Sequence, residues 1–143
     1  MNYMPEIKII TTDIQVMCIK AVSFPEGVHD AHEKLHALFA YKVGRTFYGV
    51  SYPDAQGKIV YAAGTNEIFT GEAATLNLPI FTIKKGIYNS ILIKDYYKDI
   101  PIVGRTFNEL LKKPRLDPNG YCLEIYPDGH NSRDVLCLVK LLE

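Results

Sequence analysis

Two stretches decide how this chain is read: Phe47-Tyr48-Gly49-Val50-Ser51-Tyr52-Pro53-Asp54 and Tyr121-Cys122-Leu123-Glu124-Ile125-Tyr126-Pro127-Asp128. Each is a run of aromatic and aliphatic residues, the composition of a strand, ending in the Pro-Asp chemistry of a turn. Tyr52-Pro53-Asp54 falls on Tyr126-Pro127-Asp128 at an offset of 74 residues, and the same offset places Ile19-Lys20 on Ile93-Lys94. One offset serving two distant blocks predicts an internal repeat, and a repeat constrains architecture before any single residue does. The pentapeptide Val-Gly-Arg-Thr-Phe occurs at 43–47 and again at 103–107, an offset of 60 that falls outside this frame and is read as coincidence.

Outward from these strands, both halves read alike. Each opens with an extended stretch rich in Ile, Val and Thr, Ile7 to Phe24 and Ile80 to Ile93, broken at Asp13 and Gly86. A helix follows, with Val28, Ala31, Leu35 and Leu38 at helical spacing in one half and Val103, Phe107, Leu110 and Leu111 in the other. Pro101 and Pro114 bracket the second helix, a start and a hard stop. Two strands close each half: Phe47 to Tyr52 and Lys58 to Ala63, then Tyr121 to Tyr126 and Val135 to Leu141, joined through 53–57 and 127–131. The expected fold is α+β: tandem strand-helix-strand-strand modules sharing a mostly antiparallel sheet with two helices about a pseudo-two-fold axis. The whole of 1–143 forms one domain, with repeat one at about 5–64, a linker at 65–78 and repeat two at about 79–143.

The size agrees with this. A chain of 143 residues buries about 70% of its unfolded surface, enough for a real core, whereas half that length is marginal alone. Apolar residues make up 48% and charged residues 22%, which excludes a disordered chain. The 16 basic and 16 acidic residues cancel, so the basic surplus of a direct nucleic-acid binder is missing. No apolar run approaches the ~20 residues needed to cross a bilayer, and no basic segment followed by an apolar one marks a secretory signal. Cys18, Cys122 and Cys137 are odd in number, sit in apolar runs and lack CxxC spacing. They read as reduced core thiols of a cytoplasmic protein.

The layout, the Leu78-Pro79-Ile80 segment with Lys85-Gly86-Ile87-Tyr88 after it, and above all Gly120-Tyr121-Cys122-Leu123-Glu124-Ile125-Tyr126-Pro127 resemble the GyrI-like small-molecule-binding domain. This is also called the AraC-type effector-binding or SOUL-related effector domain, and the resemblance covers nearly the whole chain. In that family an acidic residue stands two positions before a tyrosine on the late strand, as Glu124 does before Tyr126. The resemblance implies a cavity between two modules that holds amphipathic, often cationic, molecules, and many members are the effector domain of a transcription regulator. No helix-turn-helix segment precedes the first strand here, so a stand-alone form is expected.

Side chains alternate along a strand, so Cys122, Glu124 and Tyr126 share one face. At the 74-residue offset their mates are Tyr48, Val50 and Tyr52, which gives an expected pocket of Tyr48, Tyr52 and Tyr126 around Glu124, with Val50 opposite and Tyr88 at the start of the second module. Rings and a single carboxylate suit a flat or greasy cation. A strand Glu ordinarily faces solvent, and the apolar neighbours Tyr121, Leu123 and Ile125 alone would turn Glu124 outward. It is the resemblance that turns it toward a cavity.

His32-Glu33-Lys34-Leu35-His36 matches HExxH, in which two imidazoles one helical turn apart bind zinc. His29 lies on the same stripe, so three imidazoles could line one helix face; with Leu35 on the core stripe, however, His32 and His36 fall toward the edge or solvent, and a third ligand of recognised spacing is missing, with only His130 left elsewhere, in an expected turn. No metal is expected. No phosphate loop, nucleophile elbow or cofactor motif occurs, so no cofactor is expected, and two small basic clusters around Lys84-Lys85 and Lys112-Lys113 read as surface charge. The expected function is non-enzymatic binding of a hydrophobic, cationic or aromatic small molecule, as receptor, sensor or sequestering protein. It involves no direct nucleic-acid or membrane partner. The competing classes are a small-molecule hydrolase in which Glu124 activates water, and a modulator of a protein partner, with a homodimer as a further state.

Overall fold

A computed structural model describes residues 4–39, 44–127 and 132–142. Eight strands run in chain order: β1 (Glu6–Ile10), β2 (Ile14–Lys20), β3 (Phe47–Pro53), β4 (Ile59–Asn66), β5 (Ile80–Ile83), β6 (Gly86–Ile93), β7 (Cys122–Tyr126) and β8 (Val135–Lys140). Three helices join them, α1 (Val28–Leu38), α2 (Glu72–Leu76) and α3 (Ile102–Leu110), with one 3-10 turn at Tyr96–Lys98. The strands form a single sheet in the order β1-β6-β8-β7-β3-β4-β2-β5, and every pairing among them is antiparallel. The architecture is α+β, mostly β. The two stretches quoted first, β3 and β7, are the central pair. The outermost strands are exchanged, β1 pairing with β6 and β5 with β2.

Local chemistry accounts for the elements. Asp13 and Gly86 break the extended stretches as expected, separating β1 from β2 and beginning β6. The β3–β4 hairpin turns where Asp54 Oδ1 accepts from the backbone N–H groups of Gln56 and Lys58, both at 2.9 Å, and Gly57 takes φ +81°. The matching turn expected at 127–131 lies largely outside the described residues. In α1 the stripe Ala31 and Leu35 is buried, but Leu38 is exposed and the next residue, Phe39, takes the core position. In α3 Phe107 and Leu110 are buried and Leu111 is exposed.

The stretch expected as a linker, 65–78, is built into the fold. Thr65 and Asn66 end β4, and α2 occupies the centre. A buried ion pair pins it: the Arg45 guanidinium donates to both carboxylate oxygens of Glu72, with Nη1 to Oε1 at 3.1 Å, and stacks over the Phe39 ring 4.4 Å from its centroid.

The core lies on both sides of the sheet. One side packs Met17, Phe47, Tyr61 and Ala63 under α1, and Ile91, Ile93, Val135, Cys137 and Val139 under α3. The other side holds Val16, Tyr48, Val50, Ile83, Tyr88, Leu123 and Leu138. All three cysteines are unpaired thiols. Among the described residues no helix is long and apolar enough to cross a membrane.

Candidate functional site

Residues paired directly across neighbouring strands share a face of the sheet. In the central pair Glu124 stands opposite Gly49, Tyr126 opposite Phe47 and Cys122 opposite Ser51. In the flanking strands Tyr61 pairs with Ser51 and Cys137 with Glu124. Glu124 therefore points to the side that carries α1 and α3. It lies at the seam between them, where Tyr126 packs against both helix-covered clusters.

Glu124 is 8% exposed, and its carboxylate is held by two phenols. Oε1 accepts from the hydroxyl of Tyr126 at 2.6 Å and from that of Tyr61 at 2.8 Å. The Tyr61 oxygen lies 2.7 Å from Nε2 of His32, which reaches down from α1. Aromatic rings enclose the group. Phe24 stacks on Tyr61 at 5.9 Å, His32 meets Tyr126 edge-on at 5.4 Å, and Tyr96 lies 5.7 Å from Tyr126. Gly49 forms the floor. A Cβ there would collide with the Tyr61 hydroxyl and come within 2.5 Å of Glu124 Oε1.

Burial sets the electrostatics. Removal from water pushes the Glu124 carboxyl above its ordinary pKa, and the bonds from Tyr126 and Tyr61 only partly oppose this. Burial, and then the nearby carboxylate, push Tyr61 and Tyr126 well above the ordinary tyrosine range, so both remain hydroxyl donors. Tyr96 is raised for the same two reasons. Burial, with lesser repulsion from His36 and His29, lowers His32 to about 4, so its ring is neutral at neutral pH. The arrangement is one acid whose charge is costly, supplied with donors and rings but with no cation of its own in these contacts.

A cleft of about 350 Å³ opens at the Ser51 end of β3 and is lined from both faces of the sheet, by Ser51, Cys122 and Val139 on the Glu124 side and by Tyr52 and Tyr121 on the other. Its lining includes the Ser51–Cys122 pair, with Leu111, Leu116 and Val139 as apolar wall and Asp117 and Lys140 at the rim. That pair is two residues, about 7 Å, along the strands from Gly49–Glu124. Glu124 is not part of the lining of this cleft; it is covered by rings rather than open to a cavity.

The structure divides the residues of the expected pocket between the two sides of the sheet. Glu124 and Tyr126 come together. Tyr48, Val50 and Tyr52 point to the opposite side of the sheet, because Glu124 pairs with Gly49 and not with Val50. A one-residue difference in frame turns every side chain over. Tyr48 and Val50 pack in the core there, and Tyr52 stacks on Phe81. Tyr88 lies in the same core and hydrogen-bonds Tyr121 and the Lys84 carbonyl. Nothing in the sequence alone marks Tyr61, Tyr96, Phe24 or Gly49, and His32 stands out there only as part of the HExxH match. The hairpin turn at Asp54–Gly57 does bring β4, which carries Tyr61, against β3.

His32 and His36, expected at the edge or in solvent, lie at the edge and turn inward. Both are half-buried, His32 on Tyr61 and Tyr126, and His36 with its ring 4.4 Å from that of Phe47. Glu33, the third member of the HExxH match, is exposed and pairs with His29 at 3.2 Å. His130 lies outside the described residues, and among those described no group of three metal-ligating side chains comes together.

No protein-family model matches the chain, and no curated protein matches it in sequence. Solved structures do share its fold. An integron cassette protein from the mobile metagenome of Vibrio cholerae superposes with a TM-score of 0.66 at 12% identity, over 96% of this chain and 95% of that one. SAV2435, solved bound to tetraphenylphosphonium, gives 0.63 at 11% identity, over 99% of this chain and 94% of its own. The C-terminal domain of EcmrR gives 0.62 at 13% identity, over 99% and 98%. These likenesses extend over nearly the whole chain and show a shared fold.

Proposed function

We propose that this protein is a small-molecule-binding domain of the GyrI-like type that takes a hydrophobic, aromatic cation at Glu124. The observation that carries the reading is the buried carboxylate itself. An acid shut among Phe24, Tyr61, Tyr96 and Tyr126, with phenols as its hydrogen-bond partners among the described residues, is an unfavourable place for a lone negative charge. A bound cation relieves that cost, and the ring faces add cation–π attraction. The phosphonium bound by SAV2435, which shares the fold, is a cation of this chemical class.

The aromatic cover must part for a ligand to reach Oε1. Phe24, 43% exposed, stands at the surface end of the stack, so the proposed opening is there. The neighbouring cleft then receives apolar groups that extend beyond the charge. The roles that follow are receptor, sensor or sequestering protein, with Glu124, Tyr126 and Tyr61 as ligand contacts.

Calorimetric titration with tetraphenylphosphonium and with neutral triphenylphosphine oxide tests this. The cation should bind and the neutral compound should bind far less. Glu124→Gln should weaken the cation about ten- to a hundred-fold, the worth of a hydrogen-bonded charge partner. Equal affinity of wild type and Glu124→Gln for the cation would remove Glu124 from the site.

A further inference from the structure

A phenol carries one hydrogen, yet the Tyr61 oxygen lies within hydrogen-bond distance of two partners, Glu124 Oε1 at 2.8 Å and His32 Nε2 at 2.7 Å. Both contacts can be hydrogen bonds only if the three groups agree on a direction. When Glu124 is ionised it must accept, so Tyr61 donates to it and His32 donates to Tyr61 from Nε2. When Glu124 is protonated and donates to Tyr61, Tyr61 donates to His32, which must then be bare at Nε2 and carry its hydrogen on Nδ1.

We propose that His32, Tyr61 and Glu124 form a proton relay, through which the buried acid exchanges its proton with solvent when a cation arrives or leaves. The link to a cation rests on the function proposed above. The relay itself rests on the geometry alone.

The protons balance. As the acid ionises, its proton passes to the Tyr61 oxygen and the former Tyr61 hydrogen passes to His32 Nε2. The Nδ1 hydrogen of His32 leaves to water. The imidazole begins and ends neutral with its tautomer inverted, and the phenol begins and ends neutral with its direction reversed. His32 suits the outer position because it is only half-buried, whereas Tyr61 and Glu124 are buried. The titratable groups around the relay are His29 and His36 on α1, Tyr126 and Cys122 on β7, Cys137 on β8, and Tyr96. Burial raises the Glu124 carboxyl and lowers the His32 imidazole, so it favours the neutral form of each, the forms that the relay passes through. His32 is a positioning residue here, acting on the site through Tyr61.

Long-range 1H–15N spectra of 15N-histidine-labelled protein report each ring tautomer directly, and a 13C-labelled Glu124 carboxyl reports its own ionisation. His32 should be the Nε2–H form when Glu124 is ionised and the Nδ1–H form when it is protonated. In Tyr61→Phe the tautomer should no longer follow the carboxyl. Tetraphenylphosphonium added on the acid side should restore the Nε2–H form. A His32 tautomer that stays the same while the Glu124 carboxyl titrates in wild type overturns the relay, whatever the variant does. An inversion with pH that the phosphonium leaves untouched upholds the relay and overturns the ligand reading instead.

Discussion

Gly49 stands directly across the central strand pair from Glu124, and the space where its side chain would be is filled by the Glu124 carboxylate and the Tyr61 hydroxyl. The polar network exists because one position in β3 has no Cβ. Both atoms that a methyl would meet belong to buried side chains, Tyr61 at 2% exposure and Glu124 at 8%, and neither can swing away to solvent. Gly49→Ala should therefore destabilise the fold by about 1–3 kcal/mol, the range for overpacking a filled core. It should also weaken cation binding. Urea unfolding and the phosphonium titration measure the two effects.

The acid's raised pKa makes stability depend on pH in a definite direction. Between the ordinary glutamate value and the raised folded value, the folded state holds the Glu124 proton more tightly than the unfolded state does. This contribution is complete below the unfolded pKa and is lost as pH rises through the folded one. Wild type should lose stability relative to Glu124→Gln over that window, and chemical denaturation at several pH values in dilute buffer measures the difference.

His32 acts with the opposite sign. Its folded pKa is lowered from 6.5 to about 4, so the unfolded state binds the proton more readily over that interval. Its contribution is present above pH 6.5 and is lost as pH falls toward 4. In His32→Gln, which keeps a polar partner for Tyr61 but does not titrate, the acid-side loss of stability should be smaller than in wild type. The same denaturation series compares them.

Tyr126 donates the shorter of the two bonds to Glu124, at 2.6 Å. A hydrogen bond to a charged group is worth about 1.5–3 kcal/mol, so Tyr126→Phe should raise the Glu124 pKa further, by about one to two pH units. Carbon NMR of the labelled carboxyl reads this directly. An unchanged titration would mean that Tyr126 does not hold the charge.

The Arg45–Glu72 pair makes a separate prediction about the fold. Both side chains are buried, so Glu72→Ala leaves an uncompensated cation and should cost about 3–5 kcal/mol. Replacing Arg45 by Met in the same chain should recover much of that loss, because the desolvation penalty disappears with the charge. Unfolding of the single and double variants decides it.

How much of this was legible depends on the range of the interactions involved. Strands, helices and the Asp54–Gly57 turn follow from local periodicity and turn chemistry, and a single chain shows both. Helix α2 was not legible, because what holds it is an ion pair to Arg45, 27 residues away in sequence. Within the site, Glu124 and Tyr126 are two apart on one strand, and alternation alone puts them on one face.

By itself, the sequence determined an α+β chain with β3 and β7 as its key strands and an acid two residues before a tyrosine. Which residues meet that acid was a matter of register between β3 and β7. A shift of one residue there exchanges Val50 for Gly49 and turns Tyr48 and Tyr52 to the far side of the sheet. Only the packed structure decides such a register, because it depends on how two strands, with Gly49 and Glu124 75 residues apart, fill the space beneath two helices, and no local pattern encodes that fit. The same packing brought His32 and Tyr61 to Glu124 from other elements, and made a zinc-like sequence match into a hydrogen-bond partner.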